Sequence, residues 1–335
     1  MRNLPKRKLG HSLNVSAMGY GAMGLSEFYG ATNDALSLAL LHQVVDNGVT
    51  MIDTADMYGR GHNETLLGSF LKRLAPAQRH ELTIATKCGI DRSASTGYSR
   101  NINNSPAYIR KCCDESLVRL GVEQIGLYYI HRINHDVPIE ETMQTLSELV
   151  KEGKIARTGL CEVSPEVLKK AHAVFPVDVV QTEYSLWTRD IEDELLPLLK
   201  TLDIGLVPYS PLGRGFLTGK YHSSSDFAEG DFRRNNPRFQ DENITANKAL
   251  LKAINPMSIK YECTTGQIAL AWLLAQWEGI VPIPGTKTEK YLLENIAACF
   301  VSFEEEDMNI LNELKRRFVI QGERYSSEGM KGIVS

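Results

Sequence analysis

Short apolar runs alternate with amphipathic stretches along most of the chain. The runs are apolar over much of their length and are bounded by glycine or polar residues, which is typical of buried parallel strands. They fall at 16–21, 51–53, 82–86, 125–130, 155–161, 177–181, 204–209 and 279–283. An earlier stretch, 9–15, is predicted as a strand belonging to an N-terminal hairpin.

Amphipathic stretches follow these runs, and several begin with residues that cap helices. Asn33 or Asp34 precedes leucines and valines at helical spacing. Ser-Pro pairs at 105–106 and 164–165 are specific helix starts, and Thr264 begins a capping box. The pattern therefore predicts a helix after each strand.

Eight strand–helix units with short connections are the number that closes a (β/α)₈ barrel. We therefore predict an α/β protein with a TIM barrel fold, in one domain spanning 1–335 with its core at about 9–318. The polar, glycine-containing stretch from 213 to about 243 is too long for an ordinary connection and predicts a flap. Residues 304–318 predict an additional helix, and 319–335 a polar tail.

The composition is that of an ordinary soluble globule. The 335 residues are 43% hydrophobic and carry a formal net charge of −4, which gives no electrostatic case for binding nucleic acid or an anionic membrane. No segment reaches the ~20 apolar residues of a membrane span, and the basic N-terminus lacks the apolar run of a secretory signal. The six cysteines form no CxxC pair, so we expect reduced thiols in a cytoplasmic protein.

Four residues that can move protons stand at or just after the ends of neighbouring strands. Asp53 ends one run, Tyr58 follows five residues later, and Lys87 and His131 end the next two runs. Singly, each has an ordinary structural explanation, such as a helix cap, a packed ring or a solvated charge. Because neighbouring strand ends converge at one rim of a barrel, together they predict proton donation to a carbonyl oxygen. We expect Lys87 to lower the pKa of Tyr58 and Asp53 to hold the lysine charged. No HxH pattern or Ser-His-Asp triad competes, so no metal is predicted.

A Gly-Tyr-Gly-Ala-Met-Gly sequence at 19–24 matches the dinucleotide-binding fingerprint GxGxxG. In a Rossmann domain the third glycine opens a helix, whereas here the helical pattern begins about ten residues later. Asp53 is also further downstream than the usual ~20 residues. We favour the barrel, with a two-domain Rossmann dehydrogenase as the alternative.

Barrels of this type bind phosphate at the loops after strands 7 and 8. The first of these loops, 210–215, contains Ser210 and Arg214, and the second, 284–290, contains hydroxyls and two lysines at a helix start. Either loop alone could be an ordinary solvated connection. Their combined positions favour an anion site.

With these motifs in place, the chain closely resembles the aldo-keto reductase family over about 9–318. The family signatures stand at 19–24, 53–59, 85–87, 129–132, 208–216 and 283–287. The resemblance implies hydride transfer between nicotinamide C4 and a carbonyl carbon, with Tyr58 as the general acid/base assisted by Asp53, Lys87 and His131. It implies NADP (NADPH) as the cofactor, with NAD less favoured, and a small carbonyl compound as the partner.

The resemblance also implies a set of cofactor contacts. They run from the carboxamide and the nicotinamide ring through the pyrophosphate to the 2′-phosphate and the adenine. The implied residues are Gly21, Ala22, Met23, Asp53, Cys161, Glu162, Gln181, Tyr209, Ser210, Pro211, Leu212, Gly213, Arg214, Gly285, Thr286, Lys287, Lys290, Glu294 and Asn295.

Three positions depart from the family pattern. Cys161 stands where serine is expected, which weakens one hydrogen bond to the carboxamide. Thr288 stands where close relatives often carry arginine, leaving Lys287 and the nearby Lys290 as cations for a 2′-phosphate. Asn134 replaces an aspartate that often follows the His-Arg pair.

A largely apolar substrate pocket is predicted beside the tetrad. Its residues would be Met23, Phe28, Tyr58, His131, Trp187 and Phe216. Such a wall suits aryl or alkyl aldehydes and ketones. The alternative function is that of a non-enzymatic, cofactor-sensing regulatory subunit of the same fold, like a channel β-subunit. The complete tetrad argues against it.

Overall fold

The computed structural model describes residues 3–92 and 101–333. It opens with an antiparallel hairpin of β1 (Lys6–Leu9) and β2 (Leu13–Ser16). The predicted N-terminal hairpin is confirmed, but the strand bounds 9–15 are wrong, because the chain turns at Gly10 with φ of +56°. A Cβ at Gly10 would lie 2.5 Å from the carbonyl oxygen of Asp178, so the turn requires glycine.

The central sheet has seven parallel strands in consecutive order. They are β3 (Tyr20–Gly21), β4 (Met51–Asp53), β5 (Thr83–Cys88), β8 (Leu127–Ile130), β9 (Thr158–Cys161), β10 (Val179–Glu183) and β11 (Gly205–Tyr209). Between β5 and β8 the short strands β6 (Ile90–Asp91) and β7 (Asn101–Ile102) form a separate antiparallel pair. These seven strands match the first seven of the predicted barrel.

The segment 279–284 takes the place of the predicted eighth strand and closes the ring. The Val281 N–H donates to the carbonyl of Leu206 at 3.0 Å on one side, and the Gly19 N–H donates to the carbonyl of Pro282 at 2.9 Å on the other. Pro282 has no N–H, and neither has the proline two residues later, so no continuous ladder forms here. The architecture is the predicted TIM barrel.

Helices surround the sheet. They are α1 (Asp34–Asp46), α2 (His62–Leu71), α3 (Pro76–Glu81), α4 (Pro106–Leu120), α5 (Ile139–Lys151), α6 (Pro165–Val174), α7 (Leu195–Leu202), α8 (Asp241–Lys260), α9 (Thr265–Gln276), α10 (Glu289–Ala297), α11 (Glu305–Arg317) and α12 (Ser327–Met330). The sequence pattern did not predict α3, α8 or α12. No helix in the described ranges combines the length and apolar character needed to cross a membrane.

The helix starts follow the predicted caps, with one difference. The side chain of Asn33 accepts the Leu36 N–H, and Ser164 does the same for Val167. Thr264 forms the predicted reciprocal capping box with Gln267. Ser105 makes no side-chain cap, so α4 begins with the fixed backbone of its first proline instead.

Two apolar clusters fix the position of the strand ends. The larger one lies between the helices and the outer face of the sheet. The smaller one fills the barrel interior, where Leu9, Leu13 and Val15 of the hairpin pack with inward residues such as Met51 and Val207. The hairpin thus closes one end of the barrel, and the carboxyl ends of the strands remain as the open rim.

Candidate active site

Three of the four predicted catalytic residues meet at the carboxyl ends of adjacent strands. The Lys87 ammonium donates to Asp53 Oδ1 at 2.5 Å and to the carbonyl of Thr54 at 2.6 Å. Gln181, two strands beyond β8, donates its amide to Asp53 Oδ2 at 2.8 Å. The Lys87 Nζ lies 5.1 Å from the centroid of the Tyr58 ring. The carboxylate therefore holds the lysine below the phenol.

Tyr58 is presented by a tight turn after β4. Gly59 and Arg60 both have positive φ, 56° and 55°. Glu27 accepts the Gly59 N–H at 2.9 Å and is held in turn by the Arg92 guanidinium at 2.8 Å. Sequence reasoning missed this acid, because no local pattern links it to a turn about thirty residues later. The Arg92–Glu27 pair fixes the loop that carries the phenol.

Burial governs the protonation of this group. Burial raises the pKa of Tyr58 to about 12, and the Lys87 ammonium only partly offsets it. The direction of the Lys87 effect is as predicted, but the net shift is upward, so the phenol is protonated at neutral pH. Burial alone would lower the pKa of Lys87, but the charge of Asp53 outweighs it and keeps the ammonium protonated.

His131 stands on the other side of the phenol. Its ring meets the Tyr58 ring edge-to-face with centroids 5.8 Å apart. Its backbone N–H donates to the carbonyl of Cys88 at 2.7 Å, which fixes the residue at the end of β8. The imidazole is placed to contact a group that also reaches the phenol.

A cavity of about 600 Å³ opens over this constellation and continues to the loops after β11 and the closing segment 279–284. Most of the predicted contacts line it. They are Gly21, Met23, Phe28, Asp53, Tyr58, His131, Gln181, Tyr209, Ser210, Pro211, Leu212, Arg214, Gly285, Thr286, Lys287 and Asn295. The other predicted residues are not part of its wall, and these are Ala22, Lys87, Cys161, Glu162, Trp187, Gly213, Phe216, Lys290 and Glu294.

Trp187 and Phe216 do not reach the substrate end of the cavity, contrary to expectation. Their rings pack against each other with centroids 4.0 Å apart and planes tilted by 58°, and Phe239 also packs against Trp187. Both are buried in the larger apolar cluster. Met57 and Phe232, which were not predicted, line the cavity wall.

The pair predicted for the carboxamide is turned away from the cavity. Cys161 packs inside the barrel. Glu162 accepts the Glu183 N–H at 2.9 Å through one oxygen and pairs with Arg324 at 2.8 Å through the other. Of the predicted carboxamide contacts, Gln181 alone lines the cavity within the described part of the chain.

Two of the predicted phosphate ligands are engaged with protein groups. Arg214 pairs with Glu183 at 2.7 Å. The Lys287 ammonium donates to the carbonyls of Tyr29 and Ala31 at 2.7 and 2.8 Å, across the mouth of the cavity. Burial lowers the pKa of Lys287. Lys287 must therefore exchange these carbonyls to bind a phosphate directly, whereas Arg214 keeps further N–H donors beside its ion pair.

The C-terminal tail contributes to the site, which the sequence did not indicate. Arg324 binds Glu162 and also Asp190, the latter at 2.7 Å. The Tyr325 hydroxyl donates to the Tyr209 hydroxyl at 3.1 Å, and Tyr325 lines the cavity. A polar stretch without periodicity gave no signal for this contact.

Residues 3–92 and 101–333 contain no group of three or more His, Cys, Asp and Glu side chains placed to hold a metal ion.

The sequence is similar to those of known proteins. A family model described as the aldo/keto reductase family matches residues 17–316. The chain is 45% identical over 324 residues to probable aldo-keto reductase 1 of Glycine max, covering 95% of this chain and 91% of that protein. It is 42% identical over 326 residues to the aldo-keto reductase yakc [NADP(+)] of Schizosaccharomyces pombe, covering 96% and 95%.

Solved structures give the same result at lower identity. The glycerol dehydrogenase AKR11B4 from Gluconobacter oxydans matches with a TM-score of 0.83 at 27% identity, over 95% of this chain and 97% of that one. The holo form of aldo-keto reductase AKR11C1 from Bacillus halodurans matches with a TM-score of 0.78 at 25% identity, over 97% and 99%.

Proposed function

The chain belongs to the aldo/keto reductase family of oxidoreductases, and from this we propose that it reduces aldehydes or ketones to alcohols with NADPH, using Tyr58 as the proton donor. The observation that carries the proposal is the Asp53–Lys87 pair beneath the phenol. The protonated phenol and the imidazole line one cavity. The fixed ammonium lies against the phenol, so that the three groups together can neutralise charge on a carbonyl oxygen.

The residues at the cavity suit a nicotinamide dinucleotide. A volume of about 600 Å³ is within the range of ligand and cofactor sites. Tyr209 offers an aromatic face at the end of β11, and Gln181 offers an amide beside the catalytic pair. Ser210 and Thr286 add hydroxyls at the loops where barrels bind phosphate. When bound, the nicotinamide supplies a hydride from C4.

Each tetrad residue then has a distinct task. Tyr58 holds a proton at its hydroxyl until the carbonyl oxygen gains negative charge, and then donates it. Lys87 stabilises the phenolate left behind. Asp53 keeps the lysine charged and in place through the 2.5 Å hydrogen bond, and His131 orients the carbonyl oxygen. The apolar neighbours Met57 and Phe232 exclude water from the reaction.

The preference for NADPH over NADH rests on the relative from Schizosaccharomyces pombe, which is named as an NADP(+) enzyme, and on Lys287. Thr286 and Thr288 lie with Lys287 at the start of α10, where a 2′-phosphate would meet hydroxyls and backbone N–H groups. Lys287 would exchange the carbonyls of Tyr29 and Ala31 for the phosphate.

Tyr58→Phe tests the proposal. Removing the proton donor lowers kcat for aldehyde reduction by about 100-fold or more, the usual range for a general acid. The affinity for NADPH stays close to that of the wild type. Fluorescence titration measures it, and a parallel titration with NADH is the comparison. Steady-state assays over a panel of aldehydes and ketones provide the rates.

Tyr184→Phe is the matched control. Tyr184 is a buried tyrosine whose hydroxyl contacts Glu192 away from the cavity, so its removal leaves kcat near the wild-type value. Equal rates in Tyr58→Phe and the wild type would contradict the assignment of the acid. NADPH oxidation that never depends on a carbonyl compound would favour the cofactor-sensing alternative.

A further inference from the structure

One buried cation in the described part of the chain lacks a carboxylate partner. Every other arginine that is buried there has a carboxylate oxygen within 4 Å. These paired arginines are Arg92, Arg189, Arg214, Arg233 and Arg238. Arg132 is only 4% exposed and forms no ion pair with any described residue.

Arg132 lies directly beside the catalytic end of the cavity. It follows His131 at the exit of β8 and lines the cavity wall. Its Nη1 donates to the carbonyl of His131 at 2.6 Å, while its Nε has no hydrogen-bond partner among the described residues. The tail covers it, since a Cβ at Gly332 would lie 3.1 Å from the Cβ of Arg132.

The nearby acids are already committed elsewhere. Glu162 is bound by Arg324 at 2.8 Å. Glu183 is bound by Arg214 at 2.7 Å and by Arg238 at 3.2 Å. Neither acid is therefore left to form an ion pair with Arg132.

A buried guanidinium is charged at any pH that a protein experiences. Leaving such a charge without a counterion is strongly unfavourable, which is why buried charges are normally paired. An unpaired arginine facing a ligand cavity is explained when the ligand brings the anion.

We propose that Arg132 binds a carboxylate on the substrate, so that the physiological substrate class is an aldehyde or ketone carrying a carboxylate group. This inference rests on the proposed carbonyl reduction at the same site. The planar fork of arginine matches the two oxygens of a carboxylate. One uncompensated positive charge matches a monoanion.

The anion belongs to the substrate rather than to the cofactor. Arg132 directly follows His131 at the end of β8, whereas the loops that suit phosphates follow β11 and the segment 279–284. A carbonyl group held at Tyr58 and His131 would thus have its carboxylate within the same end of the cavity.

The test compares 4-carboxybenzaldehyde with its neutral ester, methyl 4-formylbenzoate, in NADPH-dependent reduction. The two aldehydes share a ring and a reacting group and differ in charge. In the wild type, kcat/KM for the carboxylate exceeds that for the ester by about tenfold or more, since a charge-assisted pair contributes at least that factor. The difference resides mainly in KM.

Two substitutions locate the preference. In Arg132→Gln the ratio of the two kcat/KM values falls to about one, and in Arg132→Lys it is intermediate because the charge remains without the fork. Arg189→Gln is the matched control, because Arg189 is a buried arginine that pairs with Glu192 at 2.7 Å outside the cavity wall, and it retains the wild-type ratio.

If a variant is too slow for reliable kinetics, the binding of a carboxylate can still be measured by thermal unfolding. Benzoate protects the wild-type NADP⁺ complex against thermal unfolding, whereas the Arg132→Gln complex gains no such protection. Equal kcat/KM values for acid and ester in the wild type would overturn the inference, and so would an unchanged ratio in Arg132→Gln. If the wild type reduced neither aldehyde nor any other carbonyl compound, the proposed function itself would fail.

Discussion

Burial and one neighbouring charge have opposite effects on the pKa of the Tyr58 phenol. Burial disfavours the phenolate and raises the pKa to about 12, while Lys87 acts in the opposite direction. The residue is thus a proton donor at neutral pH, and its phenolate, the proton acceptor, becomes well populated only as the pH approaches the pKa of about 12. Reduction and oxidation at this site should differ in their pH dependence.

For reduction, the phenol must be protonated, and with a pKa of about 12 it remains so from pH 6 to 9. The rate of hydride transfer to an aldehyde, measured in single turnovers, is therefore flat across this window. For alcohol oxidation the phenolate is required, so the rate rises with pH, by up to about tenfold per unit. A reduction rate that fell with an apparent pKa near 7 would contradict the assignment of Tyr58.

The Asp53–Lys87 pair also contributes to the stability of the fold, since both side chains are buried. Asp53→Asn leaves the ammonium without its counterion, and breaking a buried pair in this way costs about 3–5 kcal/mol. Urea-induced unfolding measures the loss. The exposed pair of Arg316 and Glu313 on α11 is the comparison, because Glu313→Gln should unfold at the wild-type urea concentration. Similar losses in both variants would show that the Asp53–Lys87 pair contributes no special stability.

At the level of elements, similar sequence signals proved to act through different contacts. Ser105 and Thr264 both stand at helix N-caps, but only Thr264 bonds the backbone of its helix. The Thr264 hydroxyl accepts the Gln267 N–H and also donates to the Glu294 carboxylate at 2.8 Å. The start of α9 therefore depends on a side chain, and the start of α4 on its proline.

Thr264→Ala should lower the free energy of unfolding by about 1 kcal/mol, the usual contribution of a helix cap. Ser105→Ala should change it much less, because no cap hydrogen bond is lost. Urea titrations of the two variants in parallel provide the comparison. Equal destabilisation would mean that Ser105 caps α4 in solution.

In the whole molecule, the two ends of the chain serve opposite ends of the barrel. The hairpin of β1 and β2 closes the end away from the catalytic residues. The tail returns to the open rim, where Arg324 binds Glu162 and Asp190 and brings Tyr325 to Tyr209. The cavity wall is complete only when the tail is in place.

Arg324→Gln should therefore raise KM for the carbonyl substrate by about tenfold, the equivalent of one lost charge-assisted hydrogen bond. Steady-state kinetics at saturating NADPH measure the change. Lys315→Gln on α11 is the control, because its ion pair with Asp193 does not hold the tail, and its KM should stay at the wild-type value. An unchanged KM in Arg324→Gln would show that the tail does not form part of the substrate site.

The sequence by itself determined the alternation of elements and the residues at the strand ends. Apolar runs and caps are local signals, so the barrel, most helix starts and the positions of Asp53, Lys87 and His131 could be read from them. Contacts between distant parts of the chain have no such signal. The tertiary structure alone decided three such contacts: Glu27 with the turn that carries Tyr58, Trp187 with Phe216, and Arg324 with Glu162. The lack of an ion-pair partner for Arg132 within residues 3–92 and 101–333 belongs to the same class, because it is a property of packing rather than of sequence.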